Sequence, residues 1–357
     1  MESVKNNILV VGGKGLVGNK IVELIKERNP TVQIFIGSRN LSASLPNALQ
    51  IDVNNPQTFS SIKEKNIHFV VLCANDKSNH ILQYCIDSGI DYIDITKPTP
   101  DLEKALLSTQ NKAINSQIVF SSGWMGGLVS SLAFLAVPDK ESIKSIKLFV
   151  YYSVNDLAGE SSAHFMAEHV ATPFKGYVQN KLVWLKHFLN SEKYTYSFGI
   201  GKRQAYNFDT PDLYILHKAE GVPTVQVKMT YNSEFITWLL GAFQRVKLFD
   251  VLSLSMRRLI FSANGKGDQT IFDVLVDDGK VIRKIALKDA MGQAHLTAFS
   301  TVLHLETMMK SAPKKGVFFS HQLHEPIKFL ELLRSSDAIN LEIEEGNLTF
   351  LQNTVGA

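Results

Sequence analysis

Two cysteines in 357 residues are too few for a disulfide framework. Cys73 and Cys85 fall at a strand end and in a helix of the predicted pattern, so both read as reduced thiols of a cytoplasmic protein. Excess charge is missing too: 37 basic residues stand against 34 acidic ones, for a net charge of +3. That excludes nucleic acid as an expected partner. No apolar run is long enough to form a transmembrane segment. The opening residues, MESVKNN, lack the basic flank and apolar core of a secretion signal. There is no internal repeat and no low-complexity stretch. What remains is ordinary globular composition, 45% hydrophobic and 20% charged, enough for two domains with cores of their own.

What is present begins with a glycine turn. Residues 7–18 read NILVVGGKGLVG, an apolar run followed by Gly13-x-Gly15-x-x-Gly18. A helical pattern follows through Ile21, Val22, Leu24 and Ile25. Strand, glycine turn and helix in that order form a dinucleotide-binding fingerprint. Glycine allows the tight turn, lets backbone approach a pyrophosphate and brings helix against strand. The helix N-terminus offers its free N–H groups to the phosphates. Gly12, Gly13, Lys14, Gly15, Leu16, Val17 and Gly18 are therefore the expected cofactor cradle.

The second apolar run, Val32–Ile36, leads into Gly37-Ser38-Arg39-Asn40. An NAD site usually ends this strand with an acid on the ribose hydroxyls. Here Ser38 and Arg39 stand instead, a hydroxyl and a guanidinium suited to a ribose 2′-phosphate. NADP is thus the expected cofactor; the alternative is that Arg39 is a solvated surface group and both NADP and NAD are accepted. Leu49–Val53 reads as a third short strand, whose Asp52 and Val53 either bracket the adenine or, for Asp52, cap the next helix. Cys73, Ala74 and Asn75, closing the fourth strand, complete the cofactor set.

Apolar runs and helical patterns alternate to about Pro138, as an α/β, Rossmann-type doubly wound parallel sheet requires. His68–Ala74, Tyr92–Ile95 and Gln117–Phe120 are strands four to six; Ser78–Ser88, Leu102–Ala113 and Leu128–Val137 are helices. Beyond Pro138 the pattern changes. Ile143–Ser153, Val225–Thr230, Gln269–Val276 and Lys280–Leu287 alternate like strands, the last two joined by the hairpin turn Asp277-Asp278-Gly279. Ser161–Ala171, Phe235–Phe261 and Ala294–Met309 are helical. The expected plan is a Rossmann domain over 1–138 and an α+β domain with an antiparallel sheet over 139–320. A C-terminal helix and strand over 321–357 would pack back on either domain.

These residues resemble the saccharopine dehydrogenase-like family of oxidoreductases. The likeness is carried by the GGKGLVG turn, Ile36-Gly37-Ser38-Arg39, Val71–Asn75 and, above all, YCIDSGIDYID over residues 84–94. Ser121–Leu128 is similar to the family's glycine turn after the sixth strand, with Gly126-Gly127 where Pro-Gly is usual. The resemblance implies a Rossmann domain with an inserted α/β domain, usually in a homodimer. It also implies hydride chemistry on an imine between an amino acid and an oxo acid. The chain departs from the family after Asp94, where Ile95-Thr96-Lys97-Pro98 replaces the frequent Gly-Glu.

The nicotinamide is expected beyond the carboxyl ends of strands four to six. Lys97 is the candidate for substrate carboxylate binding or proton transfer, or else an exposed loop lysine. Asp94 is its companion, as a base or as a loop support. Trp124 would wall the nicotinamide or pack in the core, and His164 and Tyr206 are candidate substrate contacts. No metal site is expected: His164 and His169 lie five apart, and His321, His324 and Glu325 read as surface groups. The 235–261 segment mixes Arg245, Lys247, Arg257 and Arg258 with bulky apolar residues. Peripheral membrane contact is one reading, but a buried helix pair, a dimer interface or a lid is favoured. The leading expectation is an NADP-dependent oxidoreductase with a small carbonyl, imine or amino-acid-derived substrate. The alternatives are a reductase of a carrier-bound or lipid-like intermediate and a non-catalytic dinucleotide-sensing scaffold.

Overall fold

The computed structural model describes residues 7–40, 47–157, 159–262, 265–312 and 314–347. The N-terminal MESVKN, read above for targeting, lies outside them. The chain divides into two compact units, 1–127 with 294–325, and 128–293 with 326–357. The division differs from the expected boundaries at 138 and 320. The chain leaves the first unit at Gly127 and returns at Ala294, so the helix expected in the second domain belongs to the first.

The first unit is built on β1 (Asn7–Val11), β2 (Gln33–Ser38), β3 (Ala48–Gln50), β4 (Phe69–Leu72), β5 (Asp91–Asp94) and β6 (Gln117–Phe120). Their order is β6-β5-β4-β1-β2-β3, all parallel. A further parallel strand, Gly316–Phe319, extends the sheet beyond β6. Strands such as FVVL and QIVF are buried along their whole length, which is why they read as unbroken apolar runs rather than alternating ones. Helices α1 (Leu16–Arg28), α2 (Ser60–Glu64), α3 (His80–Ser88) and α4 (Thr99–Thr109) make the crossovers. The helix Gln293–Lys310 is tied to the end of α1. Arg28 donates Nε and Nη2 to Glu306 at 2.9 and 3.0 Å, and Asn29 Nδ2 donates to the same carboxylate at 2.8 Å.

The second unit holds a nine-stranded sheet. It contains β7 (Ser145–Tyr152), β8 (Phe174–Val178), β9 (Lys181–Leu185), β10 (Glu192–Tyr196) and β11 (Gly201–Asn207). It continues with β12 (Thr224–Tyr231), β13 (Thr270–Asp277), β14 (Val281–Asp289) and the strand Ile339–Asn347. The sheet is mixed rather than antiparallel, because β7 and β12 pair in parallel over eight residues. The Asp277–Gly279 turn closes the β13–β14 hairpin as its sequence requires, with Gly279 at φ +84° and Asp278 Oδ1 accepting from Lys280 and Val281 N–H. The closing strand pairs with β14, so the C-terminal segment belongs to this unit. On one face Phe149 and Tyr151 of β7 and Ile271 and Leu275 of β13 are covered by Tyr194 and Tyr196 of β10. Tyr194 stacks on Phe149 with centroids 3.7 Å apart.

Candidate cofactor site and strand-end cluster

The glycine turn is closed by packing that admits no side chain at two points. Gly12 sits at φ +83°, and a Cβ there would lie 3.0 Å from the Cys73 carbonyl. A Cβ on Gly18 would lie 2.3 Å from the Gly12 oxygen, so α1 can approach the turn only because residue 18 is glycine. At the N-cap, Gly15 supplies no capping side chain, and the first turn of α1 carries no acid. The N–H groups of Leu16, Val17 and Gly18 are thus first-turn donors available to an anion.

The end of β2 lies beside this turn. Gly12 N–H donates to Gly37 O at 2.9 Å. Lys14 reaches across, its ammonium donating to Asn40 O at 2.8 Å, and the Ser38 hydroxyl donates to the same carbonyl at 2.6 Å. Lys14 and Arg39 therefore bring two exposed cations to the loop that follows β2. Beyond β3, Asp52 shapes a turn: its N–H donates to Thr58 Oγ1 and its carboxylate accepts from Asn54 N–H. Val53 is buried, and its carbonyl lies 2.9 Å from His80 Nδ1.

At the ends of β4 and β5 lies a buried polar cluster. Asp94 is fully buried; Oδ1 accepts from Thr96 N–H and Oγ1 at 2.8 Å, and Oδ2 accepts from the Tyr92 hydroxyl at 2.6 Å. Lys97 is only 2% exposed, which corrects the reading of an exposed loop lysine. Its ammonium donates to Asp76 O at 2.8 Å and stands 3.4 Å from Asp94 Oδ2. It therefore ties the loop after β5 to the loop after β4. Asp76, which the sequence reading passed over, accepts from His80 and Ile81 N–H and so caps α3. An aspartate four residues before an apolar helical pattern was the signal for it. Burial and the Asp94 carboxylate push the Cys73 thiol far up, which argues against a nucleophilic role.

The turn after β6 is more constrained than its glycines suggested. Met125, Gly126 and Gly127 hold φ of 50°, 68° and 77° in succession before the helix that continues to Ala136. The Gly126 carbonyl accepts from Ser121 Oγ at 2.6 Å and lies 2.9 Å from His304 Nε2. The Ser300 hydroxyl donates to Met125 O at 2.8 Å. His304 Nδ1 is 2.5 Å from His324 Nε2, and His321 is 8% exposed. The expectation of surface histidines at 321 and 324 is thus corrected. Gly316–Phe319 pairs with β6 and carries the residues after it into the interior. Burial pushes the His304 imidazole down to about 4 and that of His324 to about 2.

Trp124 stands half-buried at the start of this turn. His164 and Tyr206 belong to the second unit. His164 pairs with Glu168 at 3.1 Å, and Tyr206 is buried on β11 with its ring against Gly241.

A parallel sheet in the order 3-2-1-4-5-6, with a glycine turn after its first strand, defines a Rossmann-type domain. Residues 8–120 match the family described as saccharopine dehydrogenase NADP binding domain. Over those residues the chain is similar to the NADP-binding domain of that family. Among solved structures it is similar to apo histidine-tagged saccharopine dehydrogenase (L-Glu forming) from Saccharomyces cerevisiae. That match has a TM-score of 0.64 and 12% identity, over 96% of this chain and 100% of that one. DAP dehydrogenase from C. glutamicum, in complex with DAP, matches with a TM-score of 0.46 and 13% identity, over 93% and 99% of the two chains. Dipicolinate-bound dihydrodipicolinate reductase from Paenisporosarcina sp. TG-14 matches at 0.43 and 11%, over 90% and 100%. At such identities the likeness to the yeast enzyme is one of fold. No curated protein matches the sequence.

Proposed function

We propose that the chain is an NADP(H)-dependent oxidoreductase acting on a small carbonyl, imine or amino-acid-derived substrate. The observation that carries this reading is the open first turn of α1 beside a β2 end furnished with Lys14, Ser38 and Arg39 in place of an acid. Gly12–Gly18 would hold the pyrophosphate, and Lys14, Ser38 and Arg39 the 2′-phosphate. Asp52 and Val53 would flank the adenine, and Ala74 and Asn75 the nicotinamide half. Bound NADP(H) would supply or accept the hydride equivalent. Lys97 and Asp94 act in this reading as positioning groups that hold the β4 and β5 loops in register.

The test is a calorimetric titration of NADPH and NADH against the wild type and Arg39→Ala. Tighter binding of NADPH is expected. The variant should lose about ten- to a hundredfold in NADPH affinity, the worth of a charge-assisted hydrogen bond, and little for NADH. Equal affinities that ignore the substitution would remove Arg39 from the site and reopen the choice between NADP and NAD. Binding without turnover across a panel of oxo acids, imines and aldehydes would favour the sensing scaffold.

A further inference from the structure

The apolar and basic residues between Glu234 and Ser262 lie on the outside of the second unit. The helix Glu234–Arg245 is inverted. Its inward face is Thr237, Leu240, Gly241 and Gln244, with Thr237 Oγ1 accepting from Tyr231 N–H and Gln244 Nε2 donating to Val170 O. Its outward face carries Phe235 at 66% and Trp238 at 54% exposure, their rings 6.1 Å apart. The two short helices that follow, Leu248–Val251 and Leu254–Phe261, continue the surface. Val251 and Leu259 are 79% and 78% exposed, and the last helix has no buried residue. Surface helices normally turn such side chains to the core, and several large apolar side chains exposed on one short segment mark it for interaction.

Charge indicates what covers it. The segment has four basic residues and two acids. Both acids are engaged from outside it, Glu234 by Arg203 at 3.3 Å and Asp250 by Lys186 at 3.5 Å. Arg245, Lys247 and Arg258 remain exposed between apolar neighbours. A dimer face would bury these exposed cations in an interface core, where charge is depleted. An anionic bilayer accepts both components at once, the rings and aliphatic chains at the acyl boundary and the cations among the headgroups. We infer that the Glu234–Ser262 surface docks the protein peripherally on an anionic phospholipid bilayer. Insertion stops at the interface, because no helix among the described residues is long and apolar enough to cross a membrane. The inference is independent of the cofactor reading.

The experiment is cosedimentation of the full chain with vesicles of phosphatidylcholine alone and of equimolar phosphatidylcholine and phosphatidylglycerol. Binding to the second composition only, weakened by salt, is expected. Trp238→Ala with Leu259→Ala should weaken it by about tenfold or more through lost apolar burial. Arg245→Glu with Lys247→Glu should do so by a similar factor through charge. All four positions are exposed, so unchanged thermal melts of both variants will exclude misfolding. The inference is overturned if the wild type ignores the anionic vesicles, if it binds both compositions equally, or if the variants bind as it does. It is also overturned if sedimentation velocity without vesicles finds a wild-type dimer that Trp238→Ala with Leu259→Ala dissociates, which would assign the face to a second copy.

Discussion

The two units bury polar groups in different places. In the first, they gather at the carboxyl ends of the strands. Asp76, Asp94, Lys97, Ser121 and Ser122 all lie at or just past the ends of β4, β5 or β6 and bond to nearby backbone. In the second, two charged ones sit in mid-sheet. Asp273 on β13 lies opposite Phe149 and accepts from Tyr194, Ser197 N–H and Ser197 Oγ; Lys228 on β12 donates to Asn190 O. A polar group at a strand end fixes the loops that bind ligand, whereas one in mid-sheet fixes which hairpin covers the sheet. The first arrangement points to a site and the second to register.

Lys97→Met gives the largest expected effect and tests that distinction directly. Removing the ammonium leaves Asp94 buried with only hydroxyl and amide donors. Breaking such a pair costs about 3 kcal/mol or more, to be read as a lower urea midpoint. A variant of unchanged stability that has lost turnover would make Lys97 a reacting group rather than a clamp.

Two glycines sharpen the comparison. Gly18→Ala forces a methyl against the Gly12 backbone and should cost about 1–3 kcal/mol, with NADPH affinity falling as α1 shifts. Gly176→Ala on β8 puts its methyl 2.5 Å from Leu185 Cδ1, the tip of a flexible side chain that can move. Its cost should stay below about 1 kcal/mol. Thermal melts of the two variants compare them; equal losses would mean that the glycine turn is no tighter than an edge hairpin.

The same difference explains what could be read from the sequence. The first unit announces itself, because its strands are unbroken apolar runs punctuated by glycine, and because helix follows strand at fixed intervals. The second hid four strands, β8 to β11. Lys181–Leu185 is largely exposed, and Phe174–Val178 contains Gly176, so neither reads as an apolar run. The alternation in EKYTY, with Tyr194 and Tyr196 inward, was a usable period-two signal. In the site, the glycine turn and the β2 end were legible from local chemistry. The clasp of His304 and Ser300 on Met125 and Gly126 was not, since about 175 residues separate the partners and nothing local predicts their meeting.

The remaining effects concern pH, and here the second unit should oppose itself. His187 is fully buried among Phe174, Phe188 and Phe208, and burial pushes it down to about 3 from 6.5. A lowered histidine means that the unfolded chain takes the proton first. Stability is whole above pH 6.5 and declines as pH falls toward about 3, at about 1.4 kcal/mol per unit once fully engaged. Asp273 runs the other way. Burial raises it to about 6, so the folded state holds a proton that the unfolded chain releases near 3.8. Its contribution is full below pH 3.8 and lost as pH rises through about 6. Between pH 6 and 4 the two slopes therefore offset each other in this unit. In the first unit His304 and His324, held at about 4 and about 2, both add the declining slope, and Asp91, raised by burial, opposes it in part. Hydrogen exchange along an acid titration should then find the first unit opening before the second. His187→Phe should flatten the decline in the second unit, and Asp273→Asn should steepen it. If neither variant alters the slope, those two groups titrate alike in the folded and unfolded chains, and their burial carries no pH dependence of its own.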